Sequence, residues 1–342
     1  MKALVKTERL QGRIALQEVE RPEQQSGDVL IQIHAASICG SDLHAYQYDP
    51  SYSFMTVPVI LGHELSGVVE AVGEGVTAVK PGDRVIVEAN LSCERCSHCM
   101  AGDTHICENY KVMGLHLNGG FAEYFCTKEK YVHRIPDELE LQHAALTEPL
   151  AVVVHAIYDR SNIKPGEYVA VMGPGPIGLL AAQVIRTVNA IPVLYGVDSD
   201  EAVRLPTARS LGIRTVNLTE QPANDVLFEF KREAFDHIVD CSGSTAALET
   251  GFSMLKKGGQ LTLVGLFPSL SSLDLSTIVR REIKMVGSYS CKKENYERAI
   301  ELLTLQAVAV ETLMTAYRLE QYESAFEDAQ SKKVIKPVFI FH

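Results

Sequence analysis

Over the first 150 positions the apolar residues come in short runs, such as 28–34 and 83–87, broken by Gly, Pro and Ser. Runs of that length predict strands, and Gly73, Gly75, Pro81 and Gly82 predict turns between them. From about residue 151 the texture changes. Apolar runs at 168–172, 192–197, 235–240 and 260–264 alternate with stretches of helix length, the first at 177–188. That alternation predicts βαβ units and a parallel sheet. Beyond about 285 the pattern predicts helices over 294–305 and 320–330 and a closing strand over 334–341. The uncharged run 168–185 has the length of a membrane span. Its three Gly, two Pro and one Gln predict instead a loop flanked by two short elements.

Composition narrows the class. A chain of 342 residues predicts about two domains, and 46% apolar with 22% charged residues excludes a disordered chain. Thirty-two basic against forty-three acidic residues give a net charge of −11, with no Lys/Arg block. Nucleic acid and anionic membranes are therefore not expected as partners. Charges at Lys2, Lys6 and Glu8 come too early for a secretory signal core, so a cytoplasmic protein is expected. In that compartment eight cysteines predict metal or catalytic roles rather than a disulfide framework.

Three constellations carry chemistry. Cys93, Cys96, Cys99 and Cys107 fall in one short window. Four thiolates fill a tetrahedral zinc site and leave no position for substrate, so this site is expected to be structural. The segments Cys39-Gly40-Ser41-Asp42-Leu43-His44 and Gly62-His63-Glu64, with Glu148 further on, offer a thiolate, an imidazole and carboxylates. That mixed set suits a catalytic zinc with an open position. Zn²⁺ with Cys39, neutral His63 and one carboxylate is formally neutral. A second carboxylate would make the site negative and weaken its Lewis acidity, so Glu64 and Glu148 are not expected to ligate equally. The third constellation is Gly173-Pro174-Gly175-Pro176-Ile177-Gly178, placed after an apolar strand and opening a helical pattern. This is a dinucleotide fingerprint: Gly173 permits the turn, Gly175 the approach of a pyrophosphate, and Gly178 close helix packing. Asp198 ends the next strand and would accept hydrogen bonds from the adenosine ribose, favouring NAD over NADP. Ser199 and Asp200 are adjacent candidates, and Pro206 interrupts the helix expected to follow.

The chain resembles the zinc-dependent medium-chain alcohol and polyol dehydrogenases along its whole length. The run Gly62-His63-Glu64-x2-Gly67-x5-Gly73-x2-Val76, the four-cysteine lobe, Gly119–Tyr124, Glu148-Pro149-Leu150 and the Gly173 loop carry the likeness. Ile38–His44 with Glu148 is similar to the sorbitol, threonine and butanediol dehydrogenase branch. Val264-Gly265-Leu266-Phe267 and Arg281-Glu282-Ile283 look like pentitol-phosphate (arabitol-phosphate) dehydrogenases. The resemblance implies an α/β chain. A GroES-like catalytic domain would span 1–150 and 287–342, with its zinc lobe at 90–110, and a Rossmann domain 151–286. It also implies two zinc ions per chain, NAD with NADP not excluded, and a homotetramer, a homodimer being second. Arg204, Val264, Gly265, Leu266 and Ser288 would join the cofactor's contacts. Ala45 and Ser288 stand where sorbitol dehydrogenases carry a Tyr and an Arg that touch the sugar alcohol, so another substrate than sorbitol is implied.

The implied reaction is oxidation of a secondary alcohol whose hydroxyl the metal acidifies, with hydride passing to the nicotinamide. The proton would leave through Ser41, a cofactor ribose hydroxyl and His44. Lys292 and Lys293 would be placed to meet a terminal phosphate on a polyol. A threonine or small-diol dehydrogenase is the alternative within the family. A metal-free enone reductase and a non-catalytic NAD(H)-binding protein are the alternatives outside this chemistry.

Overall fold

The computed structural model describes residues 1–268 and 272–341. They form two compact units: Met1–Ala151 with Lys292–Leu305 and Met314–His342, and Val152–Cys291 with Gln306–Leu313. The stretch 287–342, expected wholly in the first unit, is thus divided. Residues 306–313 join the second unit because the Gln183 side chain holds them, donating to Ala309 O at 3.1 Å and accepting from Ala309 N at 2.8 Å.

The first unit is built on a seven-stranded sheet whose central strand, Asp28–Ser37, pairs antiparallel with Glu64–Val72, Tyr124–Lys128 and Lys336–Ile340. A three-stranded sheet of Ile14–Glu18, Lys2–Lys6 and Val59–Ile60 lies in the same unit. Alternate residues of these strands meet in one core that includes Leu4, Ile31, Leu65, Phe121 and Phe339. Register brings distant segments together: Ser37 at the end of the central strand is opposed by Glu64 on one side and Val338 on the other.

The second unit holds a six-stranded, all-parallel sheet in the order Arg214–Asn217, Ile191–Gly196, Tyr168–Met172, Phe235–Asp240, Leu255–Leu263, Lys284–Gly287. In sequence terms this is 3-2-1-4-5-6, the doubly wound dinucleotide-binding topology. The run 168–185 becomes a strand and the 12-residue helix Pro176–Thr187, and no helix among the described residues is long and apolar enough to cross a membrane. Pro206 does not break its helix. It sits in the first turn of Arg204–Ser210, where a missing N–H costs no intrahelical bond. The strand predicted at 260–264 begins earlier, at Leu255, where Lys256-Lys257-Gly258-Gly259 hides it from an apolar pattern.

Candidate active site

Cys39 is the residue before helix Gly40–Gln47, in extended backbone. Its N–H donates to Asp42 Oδ2 at 2.9 Å, so an acid of the first helical turn clamps the residue that starts the helix. Asp42 is fully buried. Its Oδ1 accepts the Gly62 N–H at 3.2 Å and lies 3.9 Å from His63 Nδ1. One carboxylate thereby joins the segment of Cys39 and Ser41 to the turn of His63 and Glu64. That turn requires glycine: Gly62 has φ +90°, and a Cβ there would stand 2.3 Å from the Phe121 ring.

The ligating atoms of Cys39, His63 and Glu64 all lie within 4.8 Å of one another. Glu148, in the first turn of helix Thr147–Val154, is buried and is not part of that group. Ser41 Oγ lies 3.4 Å from His63 Nε2. His44, one turn along the same helix, has its Nδ1 3.4 Å from Asp49 Oδ2 and stacks on Tyr52 with ring centroids 5.2 Å apart.

Acidic groups collect here. Burial raises the pKa of Asp42, and burial with the nearby Glu64 pushes Glu148 up to about 7. Burial opposes a charge on His63, yet Asp42 and Cys39 outweigh it and hold the imidazole well above its ordinary value. A buried imidazole set among acidic groups marks a pocket that favours a cation, and thiolate, imidazole and carboxylate donors fit zinc.

Sequence reasoning overlooked Asp42 and Lys336. Lys336 is 3% exposed. Its Nζ donates to Glu64 Oε1 at 2.7 Å and stands 2.6 Å from Oε2, while Ser37 Oγ also donates to Oε2. The available signals were an acid three residues after Cys39 and a single Lys inside the apolar closing strand.

The Sγ atoms of Cys93, Cys96, Cys99 and Cys107 also lie within 4.8 Å of one another, with no disulfide among them. Backbone N–H groups point at the sulfurs: Cys107 Sγ accepts from Cys93 N at 3.2 Å and Asn109 N at 3.3 Å. The N–H groups of Arg95 and Cys96 lower the Cys93 thiol to about 6, whereas burial pushes Cys99 up to about 12. Donors aimed at thiolates fit a four-sulfur zinc site. Lys292, expected to meet a phosphate, donates to Asp103 of this lobe at 2.6 Å instead. Lys293 is exposed.

In the second unit Gly173 has φ +101°, and a Cβ on Gly178 would stand 1.9 Å from Gly173 O. Nothing lies within 4 Å of a Cβ built on Gly175, the N-cap of a helix opened by Pro176 and Ile177. Open space before unsatisfied helix N–H groups fits a pyrophosphate. Asp198 is exposed, with its Oδ1 accepting from Asn217 Nδ2 at 2.9 Å; Ser199 beside it is exposed as well. Arg204 turns to the buried Asp200 at 3.3 Å. Val264 and Gly265 donate to Asp240 O at 2.9 and 3.0 Å, and Leu266 is 67% exposed. Ser288 Oγ is buried without a partner.

Residues 25–137 match the alcohol dehydrogenase GroES-like domain, and residues 176–304 match the zinc-binding dehydrogenase domain. The chain is 37% identical to a sorbitol dehydrogenase of Halalkalibacterium halodurans over 98% of both chains. It is 34% identical to a D-arabitol-phosphate dehydrogenase of Enterococcus avium, over 95% of this chain and 93% of the relative. A Sinorhizobium meliloti protein solved with NADP bound superposes with a TM-score of 0.90 at 29% identity, over 99% of each chain. The chain belongs to the zinc-dependent medium-chain alcohol and polyol dehydrogenases.

Proposed function

We propose that the chain oxidises a secondary alcohol of a polyol and delivers the hydride to NAD. The assembly of Cys39, His63 and Glu64 within 4.8 Å carries this reading. Zinc held by these residues, with Glu148 nearby, supplies the electrophile that acidifies the substrate hydroxyl. Ser41, 3.4 Å from His63 Nε2, is the first acceptor for the proton that hydroxyl gives up. His44, oriented by Asp49 and Tyr52, would pass the proton on to solvent. The cofactor occupies the loop of Gly173, Gly175, Pro176, Ile177 and Gly178, and the unpartnered Ser288 hydroxyl and the exposed Leu266 supply further contacts. The four-cysteine lobe holds the second zinc, in a structural role.

NAD is preferred because Asp198 presents a carboxylate at the strand end while Arg204 is engaged by Asp200. Asp198→Ala is expected to lower the ratio of kcat/KM for NAD to that for NADP by about tenfold, roughly 1.4 kcal/mol. A wild-type enzyme that uses both cofactors equally overturns the assignment.

The reading as a whole is tested by a coupled oxidation screen over pentitols, hexitols, their phosphates, threonine and butanediol. Polyols should lead, and threonine or a diol leading would overturn the substrate class. A pentitol phosphate outperforming the free pentitol in kcat/KM by about a hundredfold, about 2.7 kcal/mol, would assign a phosphorylated substrate, like that of the arabitol-phosphate relative.

A cytoplasmic homotetramer, or second a homodimer, completes the proposal. No disulfide links the cysteines among the described residues. The edge strand Lys284–Gly287 exposes Met285, and the helix before it, Leu275–Arg280, exposes Leu275 and Val279, apolar surface suited to a second copy.

A further inference from the structure

Acidic groups crowd the metal pocket. Cys39 and Glu64 would bring two negative charges to a divalent ion, and two further buried carboxyls, Asp42 and Glu148, act on the same His63. Each uncompensated carboxylate at such a centre weakens its pull on a substrate oxygen.

One cation is built into the pocket. The Lys336 side chain is 4% exposed, and its Nζ lies 2.7 and 2.6 Å from the two oxygens of Glu64. The fold explains the placement. Ser37 is opposed by Glu64 in one neighbouring strand and by Val338 in the other, and the Ile38 N–H donates to Pro337 O at 3.0 Å. Lys336 therefore enters beside Cys39 and across from Glu64. A buried ion pair stabilises a fold little better than apolar residues of the same volume, so packing alone does not account for it.

We propose that Lys336 is the positioning residue that sets the charge of the catalytic metal centre. It holds the Glu64 carboxylate in place and cancels its charge, which lets the metal stay electrophilic with both Glu64 and Glu148 at hand. The proposal rests on the reading of Cys39, His63 and Glu64 as metal ligands.

The test is metal release from the holoenzyme into dipicolinate, followed by metal analysis beside kcat. The phase of release that Cys39→Ser eliminates reports this site. Lys336→Met should slow that phase by about tenfold or more and lower kcat by a similar factor, because a more negative pocket grips the ion harder and makes it a weaker Lewis acid. Lys336→Arg keeps the cation and should release metal within about threefold of the wild-type rate. Release from Lys336→Met as fast as or faster than from wild type overturns the proposal and leaves Lys336 a scaffold residue. Should Lys336→Met fail to fold, Lys336→Gln is held to the same criteria. A wild-type enzyme with no Cys39-dependent phase overturns the metal-site reading instead, which separates the two failures.

Discussion

Replacing His63 with alanine is expected to reduce alcohol oxidation by at least about a thousandfold, roughly 4 kcal/mol of transition-state stabilisation. His63 is the imidazole donor of the group of three, and without it only Cys39 and Glu64 of that group remain to hold the ion. The structural cost is small by comparison. Asp42 keeps its bonds to Cys39 N and Gly62 N, and Lys336 keeps Glu64, so both ligand-bearing segments stay tied. Metal analysis should fall from two equivalents per chain to one, while the melting temperature moves by about 5 °C or less. Two equivalents retained together with near-normal turnover would remove His63 from the centre.

The second large effect is on stability. Cys96→Ser should release the ion of the four-cysteine lobe and cost several kcal/mol, because metal binding at such a site is folding energy. The lobe has little else. Its helix, Ser97–Met100, has four residues, only Cys107 of the four thiols is buried, and Met100 is 76% exposed. Limited proteolysis should cut within residues 93–107 in the variant and not in wild type, with one metal equivalent lost. An uncleaved variant with an unchanged melting temperature would mean that side-chain packing, not a metal, holds the loop.

What the sequence disclosed about this molecule follows the distance over which each signal acts. The cysteine quartet and the Gly173 loop each complete their geometry within about one turn or loop, so spacing alone exposed them. The alternation of strands and helices after residue 151 likewise foreshadowed the parallel sheet and four of its six strands, one of which begins earlier than expected, at Leu255; the edge strands Arg214–Asn217 and Lys284–Gly287 were not foreseen. Asp42 was hidden because its task is done by an ordinary-looking first-turn acid, and its second partner, Gly62, lies on another segment. Lys336 was hidden further, since Glu64 is 272 residues away and only sheet register brings them together. Lys292 misled for the opposite reason. Its neighbourhood in sequence suggested a cleft mouth, whereas its partner Asp103 comes from a lobe 189 residues earlier.

That separation of Glu64 from Lys336 has a consequence for biogenesis. At about 5–20 residues per second, Lys336 leaves the ribosome roughly 15–50 s after Glu64. For that interval the nascent chain carries Cys39, His63 and Glu64 without their cation, and the strand Asp28–Ser37 lacks its neighbour Lys336–Ile340. The centre therefore acquires its final charge only late in translation, and a chain stalled before that strand emerges carries the ligands of a site it cannot finish.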